Sequence, residues 1–128
     1  MRKKATLTAD ECQRVLTHAG QRMATLAVMI YAGARPSELA ETRLIYGRQA
    51  LVRIEGGKLK GRANRVLPML PALRAWLADA GNPDQVPPLT RYEREQIGTA
   101  AGITWKPDIC RHTYISHRLQ LAQNDALV

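Results

Sequence analysis

Three clusters in this chain carry residue types suited to phosphate chemistry. The first is Arg35-Pro36-Ser37-Glu38, directly after an apolar run that stops at Gly33. Proline biases the residue before it toward an extended conformation and pre-sets the first turn of a helix. Arg35 is therefore expected at a helix N-terminus, where unpaired backbone N–H groups and the dipole already favour an anion. A guanidinium there can fork onto two phosphate oxygens. Glu38, one turn later, is expected to bond Arg35 and hold its plane. The bland alternative is an exposed Arg35–Glu38 ion pair worth well under about 1 kcal/mol. The second cluster, "GGKLKGRANR", sets Lys58, Lys60, Arg62 and Arg65 close together in a Gly-rich stretch. It reads either as a cationic finger laid on phosphates or as a solvated hairpin whose charges block edge pairing. In the third, Asp108, Arg111 and His112 are spaced i, i+3, i+4, which puts them on one helical face. His112 alone reads first as a core histidine satisfied by a hydrogen bond, and only second as a catalytic group.

Charge narrows the partner. The 128 residues carry 19 Lys and Arg against 11 Asp and Glu, a formal net charge of +8. Such an excess points to a polyanion. Nucleic acid leads, and an anionic membrane surface is second. A hydrophobic fraction of 45% fits a folded chain, and the length suits one domain with one modest core. With no Phe, that core must be built from Leu, Ile, Val, Met and Ala. Cys12 and Cys110 form neither a disulfide framework nor a metal pattern and read as packing thiols. His18 and His117 lack partners at metal-ligand spacing, so no metal site is expected. The basic start is followed by no apolar signal region, and the run from Leu26 to Ala32 is too short to span a bilayer. A cytoplasmic protein is expected.

The elements that must position these clusters are mostly helical. Thr8 with Glu11 makes a capping box for a first helix, with Leu7 as a staple and Gly20 as the stop. A second helix runs through "QRMATLAVMIYAG". It has no charge after Arg22 and is expected at the centre of the fold. Leu51 to Ile54 and Arg65 to Leu67 are β-branched runs suggesting two or three short antiparallel strands. "PALRAWLADAG" returns to helix, with Pro71 in its first turn and Leu73, Trp76 and Leu77 on one face. Residues 81 to 88 form a loop. A polar helix follows to about Gly102, and Pro107 opens a last one, with Asn124 as the cap of a short final segment. The expected class is an α+β domain, mostly helical with a small antiparallel sheet.

The three clusters also resemble motifs of the tyrosine recombinase, or phage integrase, family. "YAGARPSELAE" looks like its first arginine box. "KGRANRVLP" is similar to its β-hairpin segment, and "PDICRHTYISHRL" to its second box. Three motifs in order are far more specific than one, and together they span nearly the whole chain. The resemblance implies a single catalytic domain over residues 1–128, without the N-terminal DNA-binding domain of longer members. It implies double-stranded DNA as partner, DNA integration or recombination as the process, and no metal or nucleotide cofactor. Arg35 and Arg111 would clamp the scissile phosphate. Lys60, with Lys58 as the fallback, would protonate the leaving 5′ oxygen. Glu38, Asp108 and His112 would support the site, while Lys58, Arg62 and Arg65 would contact DNA.

Two departures from the family pattern stand out. The family's histidine position, three residues before Arg111, is Asp108. Its acceptor-only carboxylate would repel a phosphate, so it is read as a helix N-cap or first-turn residue. None of the four tyrosines matches the family's nucleophile, and the chain reads as ending at Val128 before that residue. Tyr114 takes the family's aromatic packing position. The chain is thus expected to be a DNA-binding fragment, inactive alone. Leu121, Leu127 and Val128 would be exposed on its unfinished C-terminal face and prone to self-association. Two other readings stay open. One is a non-catalytic DNA-binding module derived from the family; the other is a basic helical interaction domain whose DNA affinity would be absent or independent of salt.

Overall fold

Helix α1 (Ala9–His18) begins where the sequence signals it. Thr8 Oγ1 accepts from the Glu11 backbone N–H at 3.1 Å, and Glu11 returns a carboxylate oxygen to the Thr8 N–H at 2.9 Å. The computed structural model describes residues 6–55 and 64–126, the side chains of 121–126 excepted. The preceding Leu7 is buried, and its N–H donates to Thr113 Oγ1 at 2.8 Å, which ties the chain start to the last helix. Gly20, at φ +57°, reverses the backbone into a single 3-10 turn (Gly20–Arg22), from which α2 (Met23–Ala32) departs.

Helix α2 is the centre. Every residue from Ala24 to Ile30 is buried, and α1, α3 and α5 all pack against it. A side chain such as Leu26 or Ile30, fully withdrawn from water, contributes about 1.5–3 kcal/mol. This explains why the segment carries no charge: it has no face left for one. Its single buried hydroxyl is satisfied, since Thr25 Oγ1 donates to the Pro87 carbonyl at 2.8 Å and so pins the 81–88 loop.

After α2 the chain turns at Gly33 into a 3-10 helix (Pro36–Glu41) and a three-stranded antiparallel sheet. Its strands are β1 (Thr42–Ile45), β2 (Leu51–Ile54) and β3 (Arg65–Pro68), in that spatial order. The register sets Thr42 opposite Ile54 and Ile54 opposite Arg65; the next inward row is Leu44, Val52 and Leu67. Thr42, Leu44, Val52 and Ile54 are buried, whereas Arg43, Arg53 and Val66 face water. Because side chains alternate along a strand, Arg65 points to the same inner side as Ile54. Sequence reading had left β1 unassigned.

Helices α3 (Pro71–Asp79) and α4 (Arg91–Ala100) flank the core. The first buries Leu73 and Leu77; the second starts on a Thr90–Glu93 capping box. A 2.7 Å ion pair between Arg22 and Glu93 joins α4 to the turn before α2. Last comes α5 (Ile109–Ala126), which runs unbroken past Asn124, so the separate segment expected there does not form. Among the described residues no helix is long and apolar enough to cross a membrane. The mostly helical architecture with a small antiparallel sheet is the class the sequence pointed to.

Candidate phosphate-binding cleft

The first cluster forms as a turn with two fixed ends. Gly33 takes φ +69°, a left-handed conformation that only Gly adopts without cost. Arg35 follows in an extended conformation, at φ −79° and ψ 153°, as the proline after it demands. The following helix is 3-10 rather than α, with Glu38 N–H donating to the Arg35 carbonyl at 2.8 Å. Glu38 is buried at 2% exposure, and its own carbonyl accepts from Thr42 Oγ1 at 2.8 Å.

The carboxylate of Glu38 departs from expectation. It accepts the Arg35 backbone N–H at 2.9 Å, and the guanidinium it holds is that of Arg65. Arg65 Nη1 and Nη2 donate to its two oxygens at 3.1 and 3.0 Å, a two-pronged pair. The reason lies in the sheet register, which turns Arg65 inward toward the 3-10 helix. Arg65 was expected on DNA; in the structure its two terminal nitrogens bond Glu38.

Arg111 reaches the same region from α5. Its Nη1 donates to the Gly33 carbonyl at 3.0 Å, a contact between residues 78 positions apart. Burial, and then the neighbouring guanidinium groups of Arg35 and Arg65, push the Arg111 pKa below its ordinary value; Glu38 and Asp108 push it back. An arginine stays cationic under any such shift, so an anion placed beside Arg111 and Arg35 would be favoured.

Arg35 and Arg111 line one cleft of about 160 Å³. Pro36 and Asp108 contribute to the same walls, as do Arg91 and Arg94 from α4 and Trp105 after it. Arg94 Nη1 donates to the Leu89 carbonyl at 2.8 Å, and Arg91 Nε donates to Glu95 at 3.0 Å. Sequence reading passed over these two arginines because "RYEREQ" alternates charges and reads as an ordinary solvated face. Only the fold brings that helix to the arginine turn.

Asp108 stands next to Arg111 in the cleft, at the residue directly before α5, as expected of a residue that starts the helix. Its backbone is left-handed, at φ +59°, whereas an N-cap residue is extended. Its carbonyl accepts the first helical bond, from His112 N–H at 2.9 Å. His112 is half-buried and does not line the cleft, so the expected three-residue face reduces to Asp108 and Arg111. Lys58, Lys60 and Arg62 lie outside the described residues, as do positions 56–63 of the Gly56–Asn64 segment, whose glycines and clustered cations predict poor order without DNA. Leu121, Leu127 and Val128 lie outside the described side chains.

The four tyrosines are placed elsewhere. Tyr114 lays its ring on Gly33, close enough to leave no room for a Cβ there. Tyr46 donates to the Pro83 carbonyl at 2.6 Å, and burial raises its pKa. Tyr31 packs against the core near Cys12 and Trp76, and Tyr92 is exposed on α4. None lines the cleft. Cys12 and Cys110 are buried free thiols, as read from the sequence; burial pushes Cys12 to about 11 and Cys110 higher still.

With this geometry in hand, comparison with known proteins identifies a fold. A solved structure of XerA recombinase superposes on 93% of this chain with a TM-score of 0.71, at 19% sequence identity. The matched region is 51% of that protein, so this chain spans about half its length. No protein-family model matches the sequence, and no curated protein does. This chain shares the fold of the matched half of XerA recombinase.

Proposed function

We propose that this chain is the phosphate-clamping part of a site-specific DNA recombinase, and that alone it binds duplex DNA without cutting it. The observation carrying this reading is the meeting of Arg35 and Arg111, from distant parts of the chain, in one cleft. The likeness to XerA recombinase supports the same reading at the level of fold. In the proposed reaction the two guanidinium groups hold the non-bridging oxygens of the scissile phosphate and stabilise the charge that builds up on them. A tyrosine oxygen attacks phosphorus and the bond to the 5′ oxygen breaks. Lys60, or failing it Lys58, gives that oxygen a proton. The product is a 3′-phosphotyrosyl link, which a second 5′ hydroxyl reverses. The attacking oxygen must lie within about 3–3.5 Å of phosphorus, and no tyrosine of this chain lines the cleft. This chain therefore contributes the clamp and the acid.

Two measurements test the reading. Duplex affinity should fall steeply with salt, and Arg35→Ala should weaken it for every sequence while lowering the log–log salt slope by about 0.9, one phosphate contact. A nicked suicide substrate should give no protein–DNA band that survives denaturation. Binding indifferent to salt would overturn the proposal, and a covalent band lost on Tyr114→Phe would show the nucleophile misassigned. The place of Asp108 favours a second reading, a DNA-binding module that has kept the clamp and lost the chemistry, because a carboxylate beside Arg111 opposes a phosphate. Asp108→His separates the two in a protein that supplies the tyrosine: restored cleavage supports the second reading, and cleavage by the unaltered sequence refutes it.

A further inference from the structure

Arg65 was expected on the DNA backbone, yet its fork is taken by a buried carboxylate. Glu38, 2% exposed, is held through both its backbone and its carboxylate. Its N–H bonds the Arg35 carbonyl, its carbonyl accepts from Thr42 at 2.8 Å, and its carboxylate takes the Arg35 N–H and the Arg65 fork. Removing Arg65 would leave the Glu38 carboxylate, 2% exposed, without its cation, which is strongly unfavourable. The pair is also specific in shape. A lysine cannot make two parallel N–H bonds to one carboxylate.

What the pair joins matters more than its strength. On one side is strand β3, which directly follows the segment carrying Lys60. On the other is the turn that presents Arg35. The sheet register places Arg65 in one row with Ile54 and Thr42, and Thr42 also bonds Glu38. Strand β3 and the Arg35 turn thus share a single buried carboxylate. We propose that Arg65 is a positioning residue: through Glu38 it locks strand β3 to the turn that presents Arg35. Arg65 then makes no phosphate contact of its own. This rests on the clamp reading above for its role in DNA binding, but the lock itself does not.

The test has two arms, both on the 128-residue chain. Without DNA, backbone amide exchange is followed by NMR in Arg65→Gln and Arg65→Lys. The Arg35 amide, bonded to Glu38 Oε1 at 2.9 Å, and the amides of β3 should exchange at least about tenfold faster, while those of Leu16 and Ile30 keep their rates. Should Arg65→Gln fail to fold, Arg65→Lys retains the charge and decides the matter. An Arg35 amide that keeps its wild-type rate in Arg65→Lys overturns the lock. With DNA, Arg65→Gln should weaken binding, and Arg35→Ala with Arg65→Gln should bind no worse than Arg35→Ala alone, because Arg65 acts through the Arg35 turn. Losses that simply add, with a further drop of about 0.9 in salt slope, would show Arg65 on a phosphate and overturn the proposal. A chain that binds no DNA would refute the clamp reading, while the exchange arm still decides the lock.

Discussion

Gly33→Ala tests the joint between the two arginine segments. Two separate effects act at this position. The backbone sits at φ +69°, where a residue bearing a Cβ is worse off by about 1–2 kcal/mol. The added Cβ would also meet the Tyr114 ring: Cδ2 falls inside any allowed contact, and Cε2 and Cγ would lie at 2.9 Å. Cγ is the root of the ring, so Tyr114 cannot swing its tip aside; the ring and α5 must move. Overpacking of this kind costs about 1–3 kcal/mol, which brings the expected loss to about 2–5 kcal/mol. The same shift displaces the Gly33 carbonyl that receives Arg111 at 3.0 Å, so DNA affinity should fall as well. Urea unfolding of three variants separates the parts. Gly20→Ala, at φ +57° with nothing within 4 Å of its Cβ, should show the backbone share alone. Gly33→Ala should show both, and Gly33→Ala with Tyr114→Ala should lose less than the two single changes added together. If Gly33→Ala matched Gly20→Ala to within about 0.5 kcal/mol, the close packing of Tyr114 on Gly33 would be refuted.

Asp108→Asn should tighten duplex binding by about 1 kcal/mol, since a carboxylate about 4 Å from a phosphate repels it by that much in water; it should also stabilise the chain slightly, because Asn tolerates the left-handed backbone at φ +59° better than most residues. Unaltered affinity by fluorescence anisotropy would place the carboxylate away from the bound phosphate. Thr113→Val should destabilise by about 1–3 kcal/mol in urea, because the buried Leu7 N–H loses its acceptor; a change below about 0.5 kcal/mol would mean that the Leu7 end is not held there. Cys12, raised from 9.0 to about 11 by burial, stays protonated in the folded chain after the unfolded chain has begun to ionise. Its contribution to stability is therefore full below pH 9 and is lost as pH rises toward 11, as unfolding midpoints across that range should record. In Cys12→Ser that share of the alkaline loss should be smaller; an unchanged profile would refute the assignment to Cys12.

Much of this domain was written locally. The Thr8–Glu11 box, the uncharged run of α2, the Pro71 start of α3 and the alternation in Leu51 to Ile54 each follow from a few neighbouring residues, and each appears where expected. Pro36 likewise fixes the extended Arg35 by sterics alone. The strand Thr42–Ile45 was missed, and what makes those residues a strand is pairing with Leu51 to Ile54. Asp108 was legible as the start of α5, but its left-handed backbone, at φ +59°, was not, because the turn before the helix sets it. The identity of the guanidinium held by Glu38 had the same kind of cause. Sequence separation favoured Arg35, three residues away, but the register of β3 turned Arg65 inward and gave it the better fork. Arg91 and Arg94 joined the cleft only because α4 packs on α1 and brings its arginines across to α5. Residue types and short-range spacing determined which groups can bind a phosphate; long-range packing, which no local pattern encodes, decided which of them meet.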